Sequence, residues 1–335
     1  MEGKETFIIA ELSANHNNNF NTAVKTIESM AKSGADAVKI QTYTADSLAL
    51  NVDNEFFGPK KEGLWKGIRP YDLYKNASMP FEWQPKLKRV AEGLGLVFFS
   101  SPFDFESVDF LESMNVPMYK IASFEITDIP LIRYVAGKGK PVIISTGVGD
   151  FDDIKLALDT CHEVGNYNIT LLKCTSQYPA TIKDANLLTI PDMQERFNVK
   201  VGLSDHTMGY IVPVVAVSLG AQVVEKHFIL DRSMGGADSA FSMEPEEFKQ
   251  MVDNVRDVEK ALGNLKYTVS DKDKLKRRSL FVVENIRKGE IITDENVRSL
   301  RPGHGLSPRY LEIIIGKRAK YDLKKGTPFR MEFID

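Results

Sequence analysis

Short runs of β-branched and aromatic residues recur along the first two thirds of the chain: Phe7–Ala10, Ala37–Ile40, Leu96–Phe99, Met118–Ile121, Pro141–Ile144, Ile169–Leu172, Lys200–Leu203 and Val223–Lys226. Each reads as a buried strand. Between them, apolar residues fall at helical spacing, as in Ala23/Ile27/Met30/Ala31, Leu87/Val90/Ala91/Leu94 and Ile154/Leu156/Leu158, so strand and helix alternate. Eight such repeats predict an α/β fold of the parallel (β/α)8, or TIM barrel, type. A doubly wound open sheet is the rival, and both the count of eight and the lack of a Gly-x-Gly-x-x-Gly after the first strand speak against it. Ser101-Pro-Phe-Asp104 and Thr146-Gly-Val-Gly-Asp150 supply turn and helix-capping residues directly after the third and fifth strands.

One connection breaks the rhythm. From Thr44 to Pro80 the chain is too long for an ordinary loop and carries Phe56, Phe57, Trp65, Tyr71 and Tyr74, which suits either a binding lid or a packing flap on the barrel rim. An amphipathic helix over Pro245–Leu262 ends the barrel, giving a first domain of residues 1–262 and a polar bridge over 263–274. Residues 275–335 have another texture: short strands joined by Gly-punctuated turns, two of which, Ile286-Arg-Lys-Gly-Glu290 and Leu323-Lys-Lys-Gly-Thr327, form a weak internal echo.

Composition narrows the function classes. The 335 residues carry 43 basic and 46 acidic side chains, a net charge of −3, and are 43% hydrophobic, which describes a globular chain with no field for gripping nucleic acid. Residues 275–335 hold 14 basic and 8 acidic side chains, a net +6, so the barrel region is acidic and the tail basic. The start, with only Phe7–Ala10 continuously apolar, is too short for a signal-peptide core, and the longest apolar stretch, Ile211–Val224, is broken by Ser218, Gly220 and Gln222. These features lead to the expectation of a cytoplasmic protein without a membrane segment. The two cysteines, Cys161 and Cys174, read as reduced and structural.

In a barrel of this kind the reacting groups sit at the C-terminal ends of the strands. Those ends offer Glu11; Lys39 and Gln41; Ser100 and Ser101; Lys120, Ser123 and Glu125; Ser145 and Thr146; Lys173 and Thr175; Ser204 and His206; Glu225 and His227. Lysines inside apolar strands need anionic partners, so Lys39, Lys120 and Lys173 suggest a phosphorylated or carboxylated ligand. Ion pairing with Glu11, Glu125 or Glu225, or a Schiff-base lysine, are the other readings of the same residues. His206 and His227 end adjacent strands, close enough to share one divalent metal, with Glu11 on the neighbouring first strand. His16 and His162 receive no role, and His304 is ambiguous.

Gly202-Leu-Ser-Asp-His-Thr207, Glu225-Lys-His-Phe228, Lys39-Ile-Gln-Thr42 and Tyr119-Lys-Ile-Ala-Ser123 together resemble the sialic acid synthase family of nonulosonate synthases, and Arg301-Pro-Gly-His-Gly305 is similar to that family's antifreeze-like (SAF) C-terminal domain. The resemblance runs over essentially the whole chain. It implies a transferase that condenses phosphoenolpyruvate with an acetamido-deoxy sugar in open-chain form, cleaving a carbon–oxygen bond to release phosphate. It further implies a divalent metal, Mn2+, Mg2+ or Co2+, on His206 and His227, with Glu11 placing and deprotonating a water. The phosphoenolpyruvate site would be Lys39, Ser101, Lys120, Ser123, Ser145, Ser176 and Ser204, and the sugar site Gln41, Glu125, Tyr178 and Asp238. Arg301 would reach the partner subunit's site in a domain-swapped homodimer.

Within the family, Gly235-Gly-Ala-Asp-Ser-Ala-Phe-Ser242, Cys174-Thr-Ser-Gln-Tyr-Pro179 and Glu11-Leu-Ser-Ala-Asn-His16 point to 2,4-diacetamido-2,4,6-trideoxy-L-altrose as the sugar, with a bacterial surface glycan such as glycosylated flagellin as the product's destination. Ser176 stands where the family's sialic acid synthases carry Asn, and Lys272 and Leu275 replace their sugar-contacting Thr and Phe, which argues against N-acetylmannosamine. The nearest alternative is the same chemistry giving N-acetylneuraminic or legionaminic acid; a Schiff-base aldolase using free pyruvate, and a non-catalytic carbohydrate- or ice-binding protein, are more distant readings.

Overall fold

Parallel strands covered by helices are buried on both faces, so they are largely apolar on both, and the buried charges of this chain's strands lie from their middles toward their C-terminal ends. The computed structural model describes residues 5–335, which divide into two compact units, one ending at Gly263 and the other running Asn264–Asp335. In the first, β1 (Phe7–Glu11), β2 (Ala37–Thr42), β3 (Val97–Pro102), β4 (Tyr119–Ile121), β5 (Val142–Ser145), β6 (Ile169–Cys174), β7 (Lys200–Asp205) and β8 (Val223–His227) close in sequential order into a parallel barrel. Glu11 pairs in register with Lys39 on one side and with His227 on the other, so closure itself brings β8 against β1. All eight predicted strands are present.

The outer layer comprises helices 20–32, 84–93, 105–113, 129–136, 151–163, 189–197, 211–218 and 245–262. Asp104 caps one of them by accepting from Ser107 N at 2.6 Å, and Asp150 caps another by accepting from the amides of Asp152 and Asp153, as the sequence predicts. Leu156, read as part of an apolar helical face, is instead 51% exposed; Ile154, Ala157, Leu158 and Cys161 form the buried stripe of that helix. The Thr44–Pro80 connection contains two short helices, Ala45–Leu48 and Pro70–Ala77.

Inside the barrel the side chains form layers. Ile9, Ala37, Phe99, Ile143, Leu172 and Val223 fill the interior, with Phe7, Val97 and Met118 packed against them. Gly202 belongs to this layer because a Cβ there would lie 2.5 Å from Val223 O and 2.8 Å from Leu172 Cδ2. Two residues further along several strands the same inward face becomes polar, with Glu11, Lys39, Ser101, Ser204 and Glu225 buried. The apolar layer thus forms a floor beneath a charged one.

Period-two alternation also corrects the sequence reading. Lys173 follows Leu172, which faces inward, and so shares the helix-facing side with Leu171; its ammonium donates to Cys174 O at 2.8 Å. Ser100 likewise faces away from the interior, bonded to Thr42 and to Ile40 O. On the helix-facing side of β8, Lys226 is fully buried and pairs with Asp205 of β7 at 2.5 Å, while also donating to Thr207 O.

The second unit pairs β9 (Ser279–Val282) antiparallel with β10 (Val297–Leu300) over a small core that includes Leu280, Ile292, Ile314 and Phe329. The two Lys-Gly turns are related in space: Ile286 and Leu323, which lead into them, exchange backbone hydrogen bonds of 2.8 and 2.7 Å. Among the described residues no helix is long and apolar enough to cross a membrane.

Lys226→Met leaves the Asp205 carboxylate without its buried cation, which should cost about 3–5 kcal/mol of barrel stability in urea unfolding. A variant as stable as the wild type would contradict the weight given to this pair.

Candidate active site

The charged layer is a connected cluster. Lys39 Nζ lies 2.7 Å from Glu11 Oε1 and 3.5 Å from Glu225 Oε1, and Lys120 Nζ lies 3.8 Å from the same Glu225 oxygen. Gln41 donates to Glu11 Oε1 at 2.9 Å, Ser204 to Glu225 Oε1 at 3.2 Å, and Lys120 to Ser145 Oγ at 2.6 Å. Of the three strand lysines, the structure therefore brings two together and leaves Lys173 outside.

The cluster is not saturated. Ser101 Oγ and Glu225 Oε2 are buried without a hydrogen-bond partner. Beside them, Ser176 donates to Ser123 Oγ at 2.8 Å, and both hydroxyls press on Gly147, where a Cβ would lie 2.3 and 2.7 Å from them. A residue larger than glycine would fill the space next to the serines, a requirement the sequence reading missed. The two ammonium groups and the unused Ser101 hydroxyl can donate to an oxygen-rich anion, whereas Glu225 Oε2 can only accept a hydrogen bond.

His206 and His227 face each other above the cluster with ring centroids 5.3 Å apart. The Nδ1–H of His206 donates to Thr175 O at 3.0 Å, which leaves its Nε2 lone pair unused. His227 Nε2 lies 3.3 Å from Glu11 Oε2, and its buried Nδ1, 3.8 Å from Asp238 Oδ2, has no hydrogen-bond partner. Two imidazoles with ring nitrogens to spare fit a divalent ion. Among the described residues no group of three or more His, Cys, Asp or Glu side chains is gathered to hold a metal unaided, so further ligands would have to be water or substrate.

Electrostatics separates the acids. Burial works to raise the Glu11 carboxyl, but His227 and Lys39 outweigh it and hold the group well below the usual carboxylate range. Glu125, on the turn after β4 with Oε2 buried and unpartnered, is raised by burial to about 7, with Lys120 opposing the shift. Burial also lowers Lys120, whereas Lys39 is raised because Glu11 and Glu225 overcome the same burial.

The rim completes the site. Asp238 accepts from Ala14 N at 3.3 Å, joining the loop after β8 to the loop after β1. The Tyr178 ring lies 4.6 Å from His206 and 5.0 Å from Phe241, and Phe241 lies 4.9 Å from His227. Cys174, read as purely structural, in fact borders the site, with Sγ 4.0 Å from His206 Nδ1, while Cys161 stays in the outer core; both thiols are free. His16, given no role, is fully buried behind the rim against Trp83. Arg301 and His304 belong to the second unit, where both are exposed.

Comparison with known proteins agrees with this arrangement. The NeuB family model matches residues 26–267 and the SAF domain model residues 277–335. The chain is 46% identical to the pseudaminic acid synthase of Campylobacter jejuni, covering 98% of this chain and 96% of that one. It is 45% identical to the pseudaminic acid synthase of Helicobacter pylori, with 98% and 97% covered. Among solved structures, the N-acetylneuraminic acid synthetase of Leptospira borgpetersenii in complex with citrate superposes with a TM-score of 0.72 at 31% identity, covering 81% of this chain and 90% of that one.

The raised Glu125 makes stability depend on pH. With a folded-state value near 7 and an unfolded value near 4.5, its contribution is fully present below 4.5 and is lost as pH rises through 7. Urea midpoints measured between pH 4.5 and 8 should therefore fall less steeply in Glu125→Gln than in the wild type. Parallel curves would contradict the assignment.

Proposed function

The chain belongs to the NeuB family, and on that premise we propose that it is a metal-dependent synthase that joins phosphoenolpyruvate, 2,4-diacetamido-2,4,6-trideoxy-L-altrose and water to give pseudaminic acid and phosphate. The observation that carries this reading is the half-filled charge cluster: two buried ammonium groups and an orphaned serine hydroxyl directly below a facing pair of histidines.

Lys39 and Lys120 are the cations that would hold the phosphate and carboxylate of phosphoenolpyruvate, with Ser101, Ser123, Ser145, Ser176 and Ser204 as the surrounding hydroxyls. A divalent ion, Mn2+, Mg2+ or Co2+, on His206 and His227 would supply Lewis acidity that makes the sugar aldehyde electrophilic toward C3 of phosphoenolpyruvate. Bond formation at C3 leaves positive charge at C2. Glu11, kept anionic beside His227, is suited to stabilise that charge and to take the proton of the water that adds to C2. Expulsion of phosphate with its bridging oxygen then leaves the α-keto acid. The lysines stabilise the departing anion, and no phosphoryl group is transferred.

The sugar would run over Gln41, Glu125, Tyr178 and Asp238. In this proposal Arg301 completes the site of a partner subunit in a domain-swapped homodimer, which the basic tail and acidic barrel favour electrostatically. A cytoplasmic enzyme feeding bacterial surface glycans, flagellin glycosylation among them, completes the reading.

Phosphate release by chelator-stripped, metal-restored protein tests it. Release should require metal and the diacetamido altrose sugar. Release with N-acetylmannosamine or the legionaminic precursor would keep the site and overturn the sugar, and none with any sugar would overturn the reaction. In the same assay Glu11→Gln should lose about 100- to 10,000-fold in turnover while remaining folded. Mixing Arg301→Ala with His227→Ala chains should restore activity that neither has alone; a mixture that stays inactive would contradict delivery of Arg301 between subunits.

A further inference from the structure

The Thr44–Pro80 connection leaves several large apolar residues in solvent, with Phe56 77% and Leu64 46% exposed, whereas Trp65 is half-buried and turned against the site. Its indole Nε1 donates to Ala237 O at 3.0 Å, next to Asp238, and its ring lies 5.9 Å from that of Tyr178. Lys60 of the same loop places its ammonium 4.7 Å from the ring centroid. Two further links hold the rim together: Asn17 donates to Met234 O and Gly235 O at 3.2 Å, and Asn18 donates to Asn76 O at 2.8 Å. The loops after β1, β2 and β8 are therefore bonded to one another around the mouth of the barrel.

These contacts form an unbroken aromatic surface. It starts at His206 and His227, continues through Tyr178 and Phe241, and ends at Trp65. The barrel floor is filled by Phe99, Leu172 and their neighbours, so an open-chain sugar whose aldehyde lies at the histidines has to extend outward along this surface. A chain that passes Tyr178 would bring its far end toward the indole. For a 6-deoxy sugar that end is a methyl group, which gains from packing on an aromatic face.

We propose that Trp65 is a specificity-determining residue that closes the sugar site against the apolar, deoxygenated end of the substrate. This rests on the sugar-plus-phosphoenolpyruvate reading above and adds to it a residue outside the reacting atoms. Trp65 contacts neither the lysine cluster nor the histidines, so its role separates from binding of phosphoenolpyruvate and from the chemical step.

Steady-state kinetics on Trp65→Ala and Trp65→Phe test this directly. Trp65→Ala should raise KM for the trideoxy sugar by about 10-fold or more and leave KM for phosphoenolpyruvate unchanged, and Trp65→Phe should recover most of the loss. The chain has two tryptophans, so in a Trp83→Phe background the emission of Trp65 should change when sugar is added to protein already loaded with phosphoenolpyruvate. Equal effects on both KM values, or an emission that ignores the sugar, would overturn the proposal. If the wild type releases phosphate only with a different acetamido sugar, the substrate reading falls, and the same KM split and emission change with that sugar decide the role of Trp65.

Discussion

Two lysines and two glutamates share the interior of a closed parallel barrel, and the remaining features of the site follow from the need to keep them there. Charges taken out of water cost several kcal/mol each unless they are paired and hydrogen-bonded. Glu11 and Glu225 provide that pairing for Lys39 and Lys120, and Gln41, Ser145 and Ser204 satisfy further lone pairs and protons. The barrel supplies the rest. Several strands give their inward residues first to an apolar layer and then to the polar one, so the charges are fixed by backbone register. The pairing is incomplete: the Ser101 hydroxyl remains as an unused donor beside the two ammonium groups, and Glu225 Oε2 remains as an unused acceptor.

Above that layer the work is divided by element. Strand ends β7 and β8 hold the two histidines, and the buried Lys226–Asp205 pair behind them ties those same strand ends together on the helix-facing side. Loops after β1, β2, β6 and β8 build the aromatic and amide-linked rim. The second unit has its own small core and keeps Arg301 exposed, as a residue offered to another surface must be.

The eight strands are legible because each is a short apolar run bounded by helical spacing, and period-two alternation along them separates inward from outward residues. Lys173 misled because the same alternation, counted from Leu172, puts it on the outer face; composition alone makes it look equivalent to Lys39 and Lys120. Gly147 and the Lys226–Asp205 pair could not be found from the sequence. What makes them necessary is a close approach between residues far apart in the chain, Ser123 and Ser176 in one case and β7 and β8 in the other. Trp65 is visible in the sequence as one aromatic among five in a long loop, and its hydrogen bond to Ala237 O and ring contact with Tyr178 distinguish it from exposed Phe56.

On the proposed function the buried cluster is an anion receptor formed before the sugar binds. Calorimetric titration of phosphoenolpyruvate into metal-free protein, without sugar, measures it most directly. One equivalent should bind, and Lys120→Met should weaken that binding by about 10- to 100-fold, the worth of one charge-assisted hydrogen bond. Binding of equal strength in Lys120→Met would mean that the lysines serve only the internal ion pairs, and the account of the site would be wrong.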